Sequence, residues 1–129
     1  MAEKHFTGKT SDVDAPFVPA AFWEVGKTIK GVVAKVKSEV YEDKPQTVYV
    51  LELEEEVVID DEAWDRVSIG NLRGFGMALE AAKSIDDQRL PNQRLALMDT
   101  VTIQCEKIRK AKKEGYSDRV DFIIDVWRR

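Results

Sequence analysis

Five of the seven residues from Lys107 to Lys113 are basic: Lys107, Arg109, Lys110, Lys112 and Lys113. Tyr116 follows just past Gly115. Cations at this density attract phosphates and release counterions on contact. An aromatic ring beside them can stack a base, worth about 1–3 kcal/mol. Lysines on an exposed strand or turn also serve solubility alone, because they oppose edge pairing. A second constellation is Trp64–Arg66–Ser68. If Val67 and Ile69 face a core, alternation puts Trp64 and Arg66 on the outer face, an aromatic platform with a cationic neighbour. If Trp64 instead precedes the strand, it packs under a loop. Lys35 and Lys37 lie opposite the apolar side of another alternating stretch. Tyr41 is a loop-borne aromatic flanked by acids.

Residues for bond-making chemistry are sparse. His5 lies in an irregular N-terminal stretch, where a general base would not be held in place. Cys105 is the single cysteine, and its apolar neighbours in TVTIQC read as an inert core thiol. One histidine and one cysteine do not make a zinc site. Asp60, Asp61 and Glu62 could meet a divalent cation, but they lack the glycine-punctuated loop of a calcium site and read as a solvated turn. No nucleophile elbow or P-loop is present. The expectation is a protein without catalysis and without a cofactor.

Charge is distributed unevenly. From Glu39 to Asp65 there are eleven acids and one base, Lys44, while the remainder of the chain carries a net +6, so the total is −4. One flank repels polyanions and another can attract them. The 129 residues suffice for one core-bearing domain. No apolar run approaches the length of a membrane span, and the N-terminus lacks the apolar stretch of a signal peptide. A cytoplasmic location with no membrane partner is expected.

These residues need elements to position them. Residues 1–22 read as a flexible arm ahead of a domain at 23–129, with Phe17, Val18, Phe22 and Trp23 tying the arm's end to the core. KTIKGVVAKVKSEVY (27–41) alternates as a strand with Val32, Ala34 and Val36 inward, and a bulge at Gly31 brings Ile29 into phase. EDKP (42–45) is a turn. QTVYVLELEEE (46–56) is a second strand with Tyr49, Leu51 and Leu53 on one face. Residues 57–71 hold a third. NLRGFGMALEAAKS (71–84) has helical spacing at Leu72, Phe75, Leu79 and Ala82, with Asn71 as N-cap. Gly74 and Gly76 would let that helix pack closely on the sheet. DTVTIQCEKIRK (99–110) and SDRVDFIIDVWRR (117–129) form a final hairpin around Gly115. Trp23 and Trp127 flank the domain and are read as closing it. Three strands, one helix and two strands fit either a five-stranded barrel or an open sheet, and the long bent first strand favours the barrel.

FWEVGKTIKGVVAKV, VSIGNLRGFGMALEAAKS and DTVTIQCEKIRKAKKEGYSDRVDFIIDV together resemble an OB-fold, particularly the phage-type or bacterial single-stranded DNA-binding proteins, over residues 22–127. The resemblance implies an all-β five-stranded Greek-key barrel with its helix between strands 3 and 4. It implies binding of single-stranded nucleic acid, with weak sequence preference, on strands 2 and 3 and on the loops 37–46 and 109–117. Tyr49 or its neighbours, Trp64, Arg66 and Ser68 would fall on that surface. Departures are plain: Glu39, Glu42 and Asp43 occupy the first loop, Glu52 and Glu54–Glu56 the second strand, and the chain ends VWRR rather than in an acidic tail. The acidic stretch supports a second expectation, a protein partner met by that face. Unpaired strand edges leave room for a homo-oligomer.

Overall fold

The computed structural model describes residues 3–7, 15–71, 74–113, 115 and 118–128. It contains five strands, β1 (Thr28–Tyr41), β2 (Lys44–Ile59), β3 (Glu62–Gly70), β4 (Thr100–Arg109) and β5 (Arg119–Trp127), and one α-helix, α1 (Gly74–Ala81), between β3 and β4. All neighbouring strands are antiparallel, in the order β3-β2-β1-β4-β5. The first two hairpins turn on pairs of acids with positive φ, Glu42–Asp43 (49°, 63°) and Asp60–Asp61 (50°, 65°). Two successive left-handed residues make the turn that matches strand twist, and a short polar side chain lowers its cost. The acids that read as a solvated turn thus end β2, which runs through 57–59, beyond the boundary at 56 expected from alternation.

The phase of β1 differs from expectation. Ile29, Gly31 and Val33 are buried, not Val32, Ala34 and Val36. These three already alternate, so no bulge is needed at Gly31. The bulge falls at Ala34, where pairing passes from Val33–Leu51 to Lys35–Val50, and Val36 is left 41% exposed. Gly31 has another role: a Cβ there would collide with the Glu52 carbonyl of β2. Two further register breaks follow. Leu53–Glu56 of β2 stand against Asp65 alone in β3, and Glu106 is the extra residue between β4 and β5. Such irregularities bend strands and increase twist.

The expected barrel does not close. Among the described residues no ladder joins the edge strands β3 and β5. The N-terminal segment takes up the β3 edge instead. Phe17 bridges Ser68 in parallel, Val18 N–H donates to Ser68 O (3.2 Å), and Ser68 N–H donates to Pro16 O (2.8 Å). Ser68 Oγ donates to Ala15 O (2.7 Å). Helix α1 packs mainly on β5 and touches β3, with Phe75 and Leu79 buried. Leu72 lies outside the described residues. Asn71 Oδ1 accepts from Thr47 N–H (2.9 Å), fixing the chain before α1 to β2. At Gly74 a Cβ would strike the Val120 carbonyl, so the missing side chain is what lets the helix sit on β5.

The core joins these pieces. Phe22, Trp23, Tyr49, Leu51, Val67, Phe75, Leu79, Val101 and Ile103 form one buried cluster. Tyr49, expected near the outer surface, is fully buried, and its hydroxyl accepts from Leu95 N–H (3.3 Å). The segment 94–99 closes one end. Met98 and Asp99 hydrogen-bond the Val33 backbone on β1 (both 2.9 Å). Asp99, 1% exposed, accepts Ala96 N–H (2.8 Å) and two bonds from Arg128, Nε to Oδ1 (2.9 Å) and Nη2 to Oδ2 (2.8 Å). Burial by itself would raise this carboxyl. The Arg128 guanidinium and the Ala96 amide outweigh it and hold the pKa below the usual value.

Two consequences are measurable. Gly74→Ala adds about 1 kcal/mol of helix propensity but drives a methyl into β5 at a cost of about 2 kcal/mol. The thermal midpoint should fall by about 4 °C; a rise would mean that α1 is not seated through Gly74. Because the folded pKa of Asp99 is depressed, its contribution is present above the unfolded value, about 4, and is lost as pH falls through the folded value. Arg128→Leu strands a buried carboxylate and should cost roughly 2–3 kcal/mol near neutral pH. That deficit should shrink on acidification in urea titrations at stepped pH, and a deficit independent of pH would remove the ion pair as its cause.

Candidate functional site

The β4–β5 hairpin divides its cations into two groups. Asp121 on β5 accepts from Arg109 Nε (2.8 Å) and Arg119 Nε (3.1 Å). Asp118 accepts from Ala111 N–H (2.8 Å) and from Lys110 Nζ (3.2 Å). The amide bond, then the lysine, hold Asp118 below the usual carboxylate range. Arg109 and Lys110 are thus engaged across the hairpin. Lys107, Lys112 and Lys113 are exposed and make no ion pair among the described residues. Tyr116 and Ser117 lie outside the described residues.

The strand residues are less open than alternation implied. Trp64 pairs with Val57 and is half-buried against the core cluster. Arg66 leans on Asp65 (3.3 Å), and its Nε is buried without a hydrogen-bond partner. Ser68 is buried where residues 15–18 cross β3. On β1, Lys35 is exposed and Lys37 half-buried.

A groove of about 930 Å³ follows the unlaced seam between β3 and β5. Its walls come from five places: Phe17 and Val18 of the N-terminal segment, Glu39–Tyr41 and Gln46 at the β1–β2 turn, Ser68–Gly70 at the end of β3, Phe75 and Met77 of α1, and Gly115 and Asp118–Val120 at the β4–β5 turn. Phe17 and Tyr41 are each about half exposed, at 50% and 52%. Arg119 reaches over α1, with Nη2 3.5 Å from Met77 Sδ. The curl of the sheet therefore brings the two loops singled out from the sequence to one concavity. It does not bring the nominated side chains into it. None of Lys35, Lys37, Trp64, Arg66, Lys107, Arg109, Lys110, Lys112 or Lys113 lines the groove. Lys112 and Lys113 stand in the turn that forms one wall. Glu52 and Glu54 lie outside it, whereas Glu39 and Asp118 line it. The sequence marks Phe17 only as a tie between the arm's end and the core and does not mark Arg119; Phe17 reaches the groove through its bridge to β3.

A scan against protein-family models matches none, and comparisons with curated proteins and with solved structures give no match. Among the described residues, no group of three or more histidine, cysteine, aspartate or glutamate side chains is placed to hold a metal ion, and no helix is long and apolar enough to cross a membrane.

Cys105 is buried and packs in the core cluster. Burial pushes its thiol up, against a weaker lowering by the hydrogen bond with the Lys107 backbone. A neutral, enclosed thiol should not react with Ellman's reagent until the chain unfolds. Reaction in native buffer at the rate of a free thiol would refute this placement.

Proposed function

We propose that the chain is an OB-fold module, unlaced between β3 and β5, that binds single-stranded nucleic acid without catalysing a reaction. The strand order, with a helix between β3 and β4, agrees with the partly open Greek-key barrel of that fold. The observation that carries the functional reading is the groove. The β1–β2 and β4–β5 turns meet there around exposed Phe17 and Tyr41, while the acidic row of β2 stays outside. Bases would stack on Tyr41 and Phe17. The backbone would follow Lys112 and Lys113, whose charges are not taken up by acids of β5, with Arg119 at the wall. Stacking and charge accept any base, so sequence preference would be weak. A second reading is favoured by the acids 52–65 around the β2–β3 turn, where a basic protein partner could dock.

Titration with oligo(dT), followed by intrinsic fluorescence, separates the two. Binding is expected at about 50 mM salt and should weaken steeply towards 200 mM. Tyr41→Ala should weaken it about tenfold. Lys112→Glu with Lys113→Glu should lower the salt slope by about two. No binding at the lower salt, or an unchanged slope in the double variant, would sink the nucleic-acid reading.

A further inference from the structure

The inner faces of β1, β4 and β5 enter the core through residues such as Ile29, Val33, Val101 and Ile103. Their outer faces form a grid set by register. The first row is Thr28, Gln104 and Ile123; the second is Lys30, Thr102 and Asp125; the third is Val32, Thr100 and Trp127. Only two of these nine positions are charged, in a chain that is 34% charged overall. Trp127, 55% exposed, is a large apolar side chain set in solvent. It does not close the domain as its place in the sequence suggested. Ile123, also exposed, lies two rows away at the other end of the β5 column. A neutral, hydroxyl-rich sheet face with an exposed tryptophan has the composition of an interface core, from which charged residues are depleted and in which aromatics are enriched.

The two charges identify what covers it. Lys30 and Asp125 sit at opposite ends of one row, with Thr102 between them. A two-fold axis running along β4 exchanges the β1 and β5 columns while keeping the rows. It sets Lys30 against the partner's Asp125, Trp127 against the partner's Val32, and the β4 column on its own copy. An axis across the strands would instead set Lys30 on Lys30. Either axis keeps the strands aligned, as face-to-face sheets commonly pack, but only the first sets opposite charges against each other. It is self-complementary, as a two-fold interface must be. Lys30 is held only loosely within its own chain, 3.6 Å from Glu54 and 5.9 Å from the Trp127 ring centre.

We propose that the outer face of β1, β4 and β5 joins two copies of this chain about an axis along β4. The surface is independent of the groove, so the nucleic-acid reading can fail while this one stands. Sedimentation velocity over a dilution series should give the mass of two chains at the concentrated end. Lys30→Glu and Asp125→Lys should each weaken association by at least about tenfold, since each sets like charges together. Combined in one chain, they should restore it. Trp127→Ala should weaken it about 30-fold. A single-chain mass throughout the series would overturn the proposal. So would single variants that associate normally, or a double variant that stays as weak as the single ones.

Discussion

The fold depends on a run of aromatic rings that crosses the seam its hydrogen bonds leave open. Phe22 meets Trp23 at 5.2 Å, Trp23 meets Phe122 at 4.9 Å, Phe122 meets Phe75 at 6.4 Å, and Phe75 meets Tyr49 at 6.2 Å, all edge to face. The five rings come from the N-terminal segment, β5, α1 and β2. Each contact contributes about 0.5–1.5 kcal/mol beyond its buried area. With no β3–β5 ladder among the described residues, these contacts and the helix hold the two edges of the sheet over one core. Lys27 secures the end of the run: its Nζ lies 3.8 Å from the Phe22 ring centre and donates to the Phe22 carbonyl at 2.9 Å.

Register breaks decide where the charges go. The insertion at Leu53–Glu56 lengthens β2 past its pairing with β1, so the acidic residues of this region ride out on the β2–β3 hairpin. The bulge at Glu106 shifts β4 against β5 and sets Asp121 opposite Lys107, with Arg109 opposite Arg119. Asp121 then serves both arginines. The net −10 stretch and the basic turn therefore occupy different hairpins, and neither neutralises the other. Of Glu54–Glu56, Glu54 is paired with a β1 lysine, Lys30 at 3.6 Å.

Much of the architecture was legible because period and turn chemistry are local. The order of five strands and one helix, the inward Val67 and Ile69, and the final hairpin around Gly115 follow from alternation and helical spacing alone. The phase of β1 was not legible. Val32, Ala34 and Val36 alternate as well as Ile29, Gly31 and Val33 do, and only the approach of the Glu52 carbonyl to Gly31 distinguishes the two. Tyr49 shows the same limit: five successive residues of β2, Thr47–Leu51, are buried, so alternation has no exposed side to report. The groove was half legible. Its β4–β5 turn was marked by composition and its β1–β2 turn only by the family resemblance, while the contribution of Phe17 depends on a bridge across 51 positions in sequence to Ser68, which no local pattern encodes.

The open seam has its own logic. A bare strand edge invites another strand to add to it. Here the start of β5 is flanked by Asp118 and Arg119, and the turn before it carries Lys112 and Lys113. Charges at an edge oppose strand addition, because a packed neighbour would bury them. The β3 edge is already occupied at Ser68 by residues 16–18. The seam is therefore closed to a regular strand at both sides, yet it keeps a concavity walled by rings. Under the function proposed, bases would lie flat on Phe17 and Tyr41, and the phosphate chain would run towards the β4–β5 turn, away from the strand edges.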